Sequence, residues 1–91
     1  MAQVKNLHGT SDNSPPIGYS TWKEWWEHKK GKKFYYCSNS VCLNKAEVGA
    51  HVQKHSSSDR KWYIVPLCIM CNKKTDEFEV SDNDLQVVDT Y

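Results

Sequence analysis

The sequence predicts a small α+β domain in which one helix precedes a β-hairpin and a second helix follows it. Three observations predict this. "STWKEWWEHKKG" repeats its tryptophans at helical spacing, "AEVGAHVQK" and "KWYIVPL" are β-rich runs separated by a polar hexapeptide, and four cysteines form two close pairs flanking those runs. At 91 residues the chain is expected to make one domain with one core. With 38% hydrophobic residues, a chain this short gains only marginal stability from apolar burial, so a disulfide or a structural metal is expected to supplement it.

Residues 1–19 include "GTSDNSPPIGY", rich in turn formers and carrying Pro15-Pro16, and read as an extended N-terminal arm without a core of its own. The best helix in the chain comes next. Thr21 and Glu24 have the spacing of a capping box, Lys29 and Lys30 suit the negative end of the helix dipole, and Gly31 can stop it, which places the helix at 22–30 with Thr21 as its cap. Trp22, Trp25 and Trp26 then share one face, away from Lys23, Glu27 and Lys30. Three such rings are expected to anchor the core rather than to form a base-stacking platform. "KKFYY" (32–36), "AEVGAHVQK" (46–54) and "KWYIVPL" (61–67) read as strands, the last two joined by "HSSSDR". Gly49 inside a strand signals a bulge or a close backbone approach. "CIMCNKKTDEF" can open a helix at Ile69 and carry it through the charged residues, with "EFEV" and "LQVV" as two further short strands. The division is thus an arm, 1–19, and a single domain, 20–91, comprising the helix 21–30, a cysteine-bounded finger 34–76 and an acidic segment 77–91.

Cys37 and Cys42 are separated by four residues in "YYCSNSVCLN", and Cys68 and Cys71 by two in "VPLCIMCNKK". Two pairs of soft thiolates at the two ends of a hairpin match the all-cysteine tetrahedral pattern, which predicts one structural Zn²⁺. The alternatives are weaker. A redox CxxC needs only one pair and leaves Cys37 and Cys42 without a role, while a disulfide-stapled secreted domain would need an export signal, and the first thirteen residues are polar. Structural zinc contributes roughly 10–16 kcal/mol in finger peptides, comparable to the whole stability of a small domain, so metal removal is expected to unfold residues 34–75.

The net charge of +1 conceals an uneven distribution: residues 22–74 hold eleven Lys/Arg against four Asp/Glu, and residues 75–91 hold six acids and no base. Such asymmetry marks either a nucleic-acid face beside a self-shielding acidic tail or a solvated lysine surface. Lys29, Lys30, Lys32, Lys33, Lys54, Arg60 and Lys61 are the candidate phosphate contacts. "KKGKKFYY" interleaves bases with aromatics as single-strand binders do, unless Phe34 and Tyr35 belong to the core. With no run of eighteen apolar residues, a cytoplasmic protein with no membrane partner and no small-molecule cofactor is expected.

Knuckle, hairpin and a helix opening with the second cysteine pair is the order of the treble-clef zinc fold. Within it, "GAHV" and "YIVPLCIMCNKKT" resemble the HNH endonuclease motif over residues 37–75. The Trp-rich helix ahead of the finger also resembles small bacterial-type proteins, which implies nothing about activity. The HNH resemblance implies that His51 stands at the general base and Asn72 at the helix ligand of a catalytic divalent ion. Where that family usually has an acid or a second His before the base, this chain has Ala50. Mg²⁺ favours hard oxygen ligands, and Asp76, four residues after Asn72, would rebuild a site if the helix reached it, or else is a solvated acid near Lys73. His51 reads otherwise as a zinc ligand, which four cysteines make redundant, or as a structural strand residue. His55 is expected to be solvated, and His8 and His28 have no partner in sequence. The reading is therefore an HNH-like zinc module that binds nucleic acid without cleaving it. Its alternatives are a small nuclease using His51, Asn72 and Asp76 with Mg²⁺ or Mn²⁺, and a zinc-stabilised adaptor for a protein partner.

Overall fold

The hairpin predicted by the two β-rich runs is the centre of the molecule. The structure, a computed structural model, describes residues 1–7, 14–55 and 60–88; His8, the middle of "HSSSDR" and the last three residues lie outside that description. In chain order the elements are β1 (Ala2–Asn6), α1 (Trp22–Lys30), β2 (Val48–Lys54), β3 (Trp62–Leu67), α2 (Ile69–Asn72), β4 (Phe78–Val80), a 3₁₀ turn (Asp82–Asp84) and β5 (Gln86–Val88). All five strands pair antiparallel in one sheet, ordered β4-β1-β2-β3-β5.

Strand alternation assigns the two faces of this sheet. Val4, Val52, Val65, Leu67, Phe78 and Val80 pack with the cysteines on one face, and Ile64 and Val88 pack with Trp22, Trp25 and Trp26 of α1 on the other. The predicted Trp anchor is thus buried, and it fills a core of its own across β2, β3 and β5. α1 has the predicted bounds because both its ends are capped. Thr21 Oγ1 accepts from the Glu24 N–H at 3.1 Å, and Gly31, at φ 70°, donates its N–H to the Glu27 carbonyl at 2.9 Å. The Glu24 carboxylate reaches back to Ser20 rather than to Thr21, accepting from the Ser20 N–H and hydroxyl.

Gly49 makes the close approach that its place in a strand predicts. A Cβ there would stand 2.9 Å from the Trp22 carbonyl carbon and 3.0 Å from the Lys23 nitrogen, so only glycine lets the first turn of α1 rest on β2.

Composition leaves open whether the arm docks, and residues 2–6 of it form β1, a strand between β2 and β4, where Val4 is fully buried and Asn6 nearly so. Two expectations need correction. "KKFYY" is not a strand: the Glu27 carboxylate holds the Phe34 N–H at 2.7 Å, Phe34 packs edge-on against Trp26, and among the described residues its ladder pairing is the isolated bridge of Tyr36 to Lys45. The helix opened at Ile69 ends at Asn72. Residues 72–77 contain no apolar side chain to hold a further turn against the sheet, and Asn6 Nδ2 instead donates to the carbonyls of Cys71 and Lys74 at 2.9 and 3.0 Å. The acidic segment, read as two short strands, supplies β4 and β5 at the sheet's two edges.

Candidate metal centre

Each cysteine pair sits on a turn that its own neighbours organise. Between Cys37 and Cys42, Asn39 Oδ1 accepts from the Val41 N–H at 3.2 Å and the Asn39 carbonyl accepts from the Cys42 N–H at 2.9 Å, folding "SNSV" into a knuckle. The Ser38 and Ser40 N–H groups tie this knuckle to Pro66 of β3 and Glu79 of β4, each at 2.8 Å. The second pair lies where β3 becomes α2. Cys68 is the N-cap of α2, and its Sγ accepts from the Cys71 N–H at 3.4 Å.

The knuckle and the turn bring the four Sγ atoms within 4.8 Å of one another, close enough to hold one metal ion. Cys42 and Cys68 are 3.7 Å apart, and none of the four forms a disulfide. Four sulfurs about 2.3 Å from a tetrahedral zinc would be about 3.8 Å from each other, so the donor set fits in type, number and spacing. Asn39 Nδ2 donates to Cys71 Sγ at 3.4 Å and Asn44 Nδ2 toward Cys68 Sγ at 3.9 Å, donors that stabilise thiolate charge. Sequence reading did not single out Asn39 or Asn44. Both belong to the polar residues around the first pair, and only their long-range partners give them a role. Burial pushes the thiols of Cys37 and Cys71 up, Cys71 to about 12 with the neighbouring sulfurs adding to the rise. Burial acts on Cys68 too, yet hydrogen bonds from Cys71, Cys42 and Asn44 outweigh it and bring that thiol down to about 7. A divalent cation held by the four would relieve the cost of ionising the rest.

The residues carried over from the HNH resemblance do not meet. His51 pairs in register with Ile64, on the α1 face, and lies edge-on to Trp22 at 4.9 Å and Trp62 at 6.0 Å. Asn72 is exposed on α2, which Asn6 fastens to the opposite face, so the sheet separates the two. Asp76 lies beyond the end of α2, exposed, and pairs with Lys74 at 3.5 Å. Ala50 is buried on the cysteine face. Of the other histidines, His28 packs against Tyr19 and His55 lies 3.3 Å from Glu77.

The predicted basic residues fall into two groups. Lys29, Lys30, Lys32 and Lys33 gather at the C-terminal end of α1, whereas Lys54, Arg60 and Lys61 lie at the hairpin tip. Lys54 stands over Tyr63, on the α2 side of the sheet. Lys30 turns inward: its Nζ donates to the Leu85 carbonyl at 2.8 Å, and burial pushes its pKa down despite Asp84 nearby. No helix among the described residues is long and apolar enough to cross a membrane.

Comparison with protein-family models, with curated proteins and with solved structures gives no match to this chain. The metal-binding reading therefore rests on the cysteine geometry.

Proposed function

We propose that the chain is a zinc-binding, treble-clef-like module that binds nucleic acid and does not cleave it. The observation that carries the zinc reading is the convergence of Cys37, Cys42, Cys68 and Cys71 within 4.8 Å, on a knuckle and a helix cap that supply N–H donors to sulfur. The order of knuckle, hairpin and α2 supports the treble clef. The non-catalytic reading follows from the separation of His51 from Asn72: a general base and a catalytic cation must address the same phosphate. The bound zinc would be structural, holding the knuckle against the β3–α2 turn, with four thiolates leaving no open coordination position.

The nucleic-acid reading is supported by Lys29, Lys32 and Lys33, exposed together at the end of α1. Contacts of this kind act on phosphate through charge and weaken steeply with salt. In a fluorescence-anisotropy titration with a labelled oligonucleotide, affinity is expected to fall steadily from low to physiological ionic strength. Affinity that ignores salt contradicts the reading.

One observation favours a second reading, an adaptor for a protein. Val41, Leu43, Ile69 and Met70 are exposed apolar side chains beside the cysteines on both loops of the metal centre. On that reading, partner binding tolerates salt and is lost when Val41 and Leu43 become serine.

A further inference from the structure

We propose that the cleft between the C-terminal end of α1 and the Cys37–Cys42 knuckle holds single-stranded nucleic acid, an unpaired base lying against Tyr35 and Tyr36 and its phosphate on Lys32 and Lys33. This rests on the nucleic-acid reading above and narrows it to one place and one strand state.

The cleft has a volume of about 440 Å³ and is lined by Trp26, Lys32, Lys33, Tyr35, Tyr36 and Asp84, with the knuckle as its far wall. That volume falls within the range of roughly 300–1,000 Å³ that accepts small organic ligands, a nucleotide among them. Three aromatic residues run consecutively here, and the fold uses them differently. Phe34 packs on Trp26 in the core, whereas Tyr35 and Tyr36 remain 68% and 56% exposed with ring centroids 4.4 Å apart and planes at 43°. Two large rings exposed side by side give a base a surface to stack on, and stacking of this kind does not depend on base identity.

Both lysines are available to an anion. Lys32 is 3.9 Å from Asp84 and Lys33 is 3.8 Å from Glu27, too long for direct hydrogen bonds; their side chains are 56% and 89% exposed, and the Lys32 ammonium stands 5.8 Å over the Trp26 ring, at the cleft wall. Asp84 is the one acid lining the cleft among the described residues, and the Ser38 hydroxyl holds its carboxylate at 2.7 Å. A phosphate at Lys32 has to compete with that carboxylate. A duplex suits the cleft poorly, because its bases stack on each other inside the helix and present only their edges in the grooves.

The test uses the full chain loaded with zinc, in anisotropy titrations against labelled oligo-dT and oligo-rU single strands, a duplex of equal length, and polyglutamate as a polyanion without bases. The single strands are expected to bind tightest. Replacing Tyr35 and Tyr36 together by alanine is expected to weaken that binding about tenfold or more while zinc content is unchanged. Lys32→Ala with Lys33→Ala flattens the salt dependence, Asp84→Asn strengthens binding, and Lys5→Ala, on an exposed site of β1, leaves it close to the unaltered chain. Photocrosslinking with an iodouracil oligonucleotide gives a readout that needs no variant to fold, and its adduct is expected on Tyr35 or Tyr36. Equal affinity for the duplex or for polyglutamate, full affinity without the tyrosines, or adducts confined to other peptides overturns the cleft assignment. Salt-sensitive binding that accompanies any of these oligonucleotide results leaves the broader reading standing. Absence of binding to every oligonucleotide at low salt overturns both.

Discussion

His51 stands edge-on to two indole rings with the sheet behind it, so a protonated imidazole there would be cut off from the water that stabilises its charge. Burial accordingly pushes its pKa below the ordinary value. The sign of the pH effect follows: as pH falls below about 6.5, the unfolded chain binds the proton first, and stability declines until the folded-state pKa is reached. An NMR titration of the His51 ring proton is expected to give a midpoint below 6.5; a midpoint at or above the ordinary value would mean that the ring is solvated or paired with an acid. A general base would need access to substrate, and this residue packs as part of the Trp core. Its position in "GAHV" was legible in the sequence, but the face it occupies is set by pairing with Ile64 and by the seat of α1.

At the scale of elements, β2 and α1 meet at Gly49 with no room for a methyl group. Gly49→Ala is therefore expected to cost about 1–3 kcal/mol in chemical denaturation, the ordinary penalty of overpacking. A change within about 0.5 kcal/mol would mean that α1 is free to lift from the sheet. α1 and the hairpin were readable because their signals are local: tryptophans at helical spacing between a cap and a glycine, and β-branched runs on either side of a polar turn. β1 was not, because "AQVKN" carries one fully buried valine and becomes a strand only between β2 and β4. The end of α2 and the sulfur donors Asn39 and Asn44 escaped for the same reason. Each depends on a partner far away in the chain, such as the Asn6 amide on the Cys71 carbonyl.

For the whole molecule, the metal would join pieces that the sheet alone holds loosely. The knuckle meets β3 and β4 through isolated bonds, and α2 is a single short turn, yet the four cysteines belong to the same core as Val4, Val52 and Val65. Stripping the metal with a strong chelator at neutral pH under reducing conditions is expected to collapse the amide NMR dispersion of residues 34–75. Native spectra that persist in chelator would show that apolar packing suffices. The central claim, one metal ion held by Cys37, Cys42, Cys68 and Cys71, is tested most directly by titrating the reduced, metal-free chain with Co²⁺ and recording its visible spectrum. The account predicts an end point at one equivalent with the intense bands of a tetrahedral tetrathiolate, displaced by Zn²⁺. Weak octahedral bands, or an end point unchanged when Cys42 and Cys68 are replaced by serine, would contradict it.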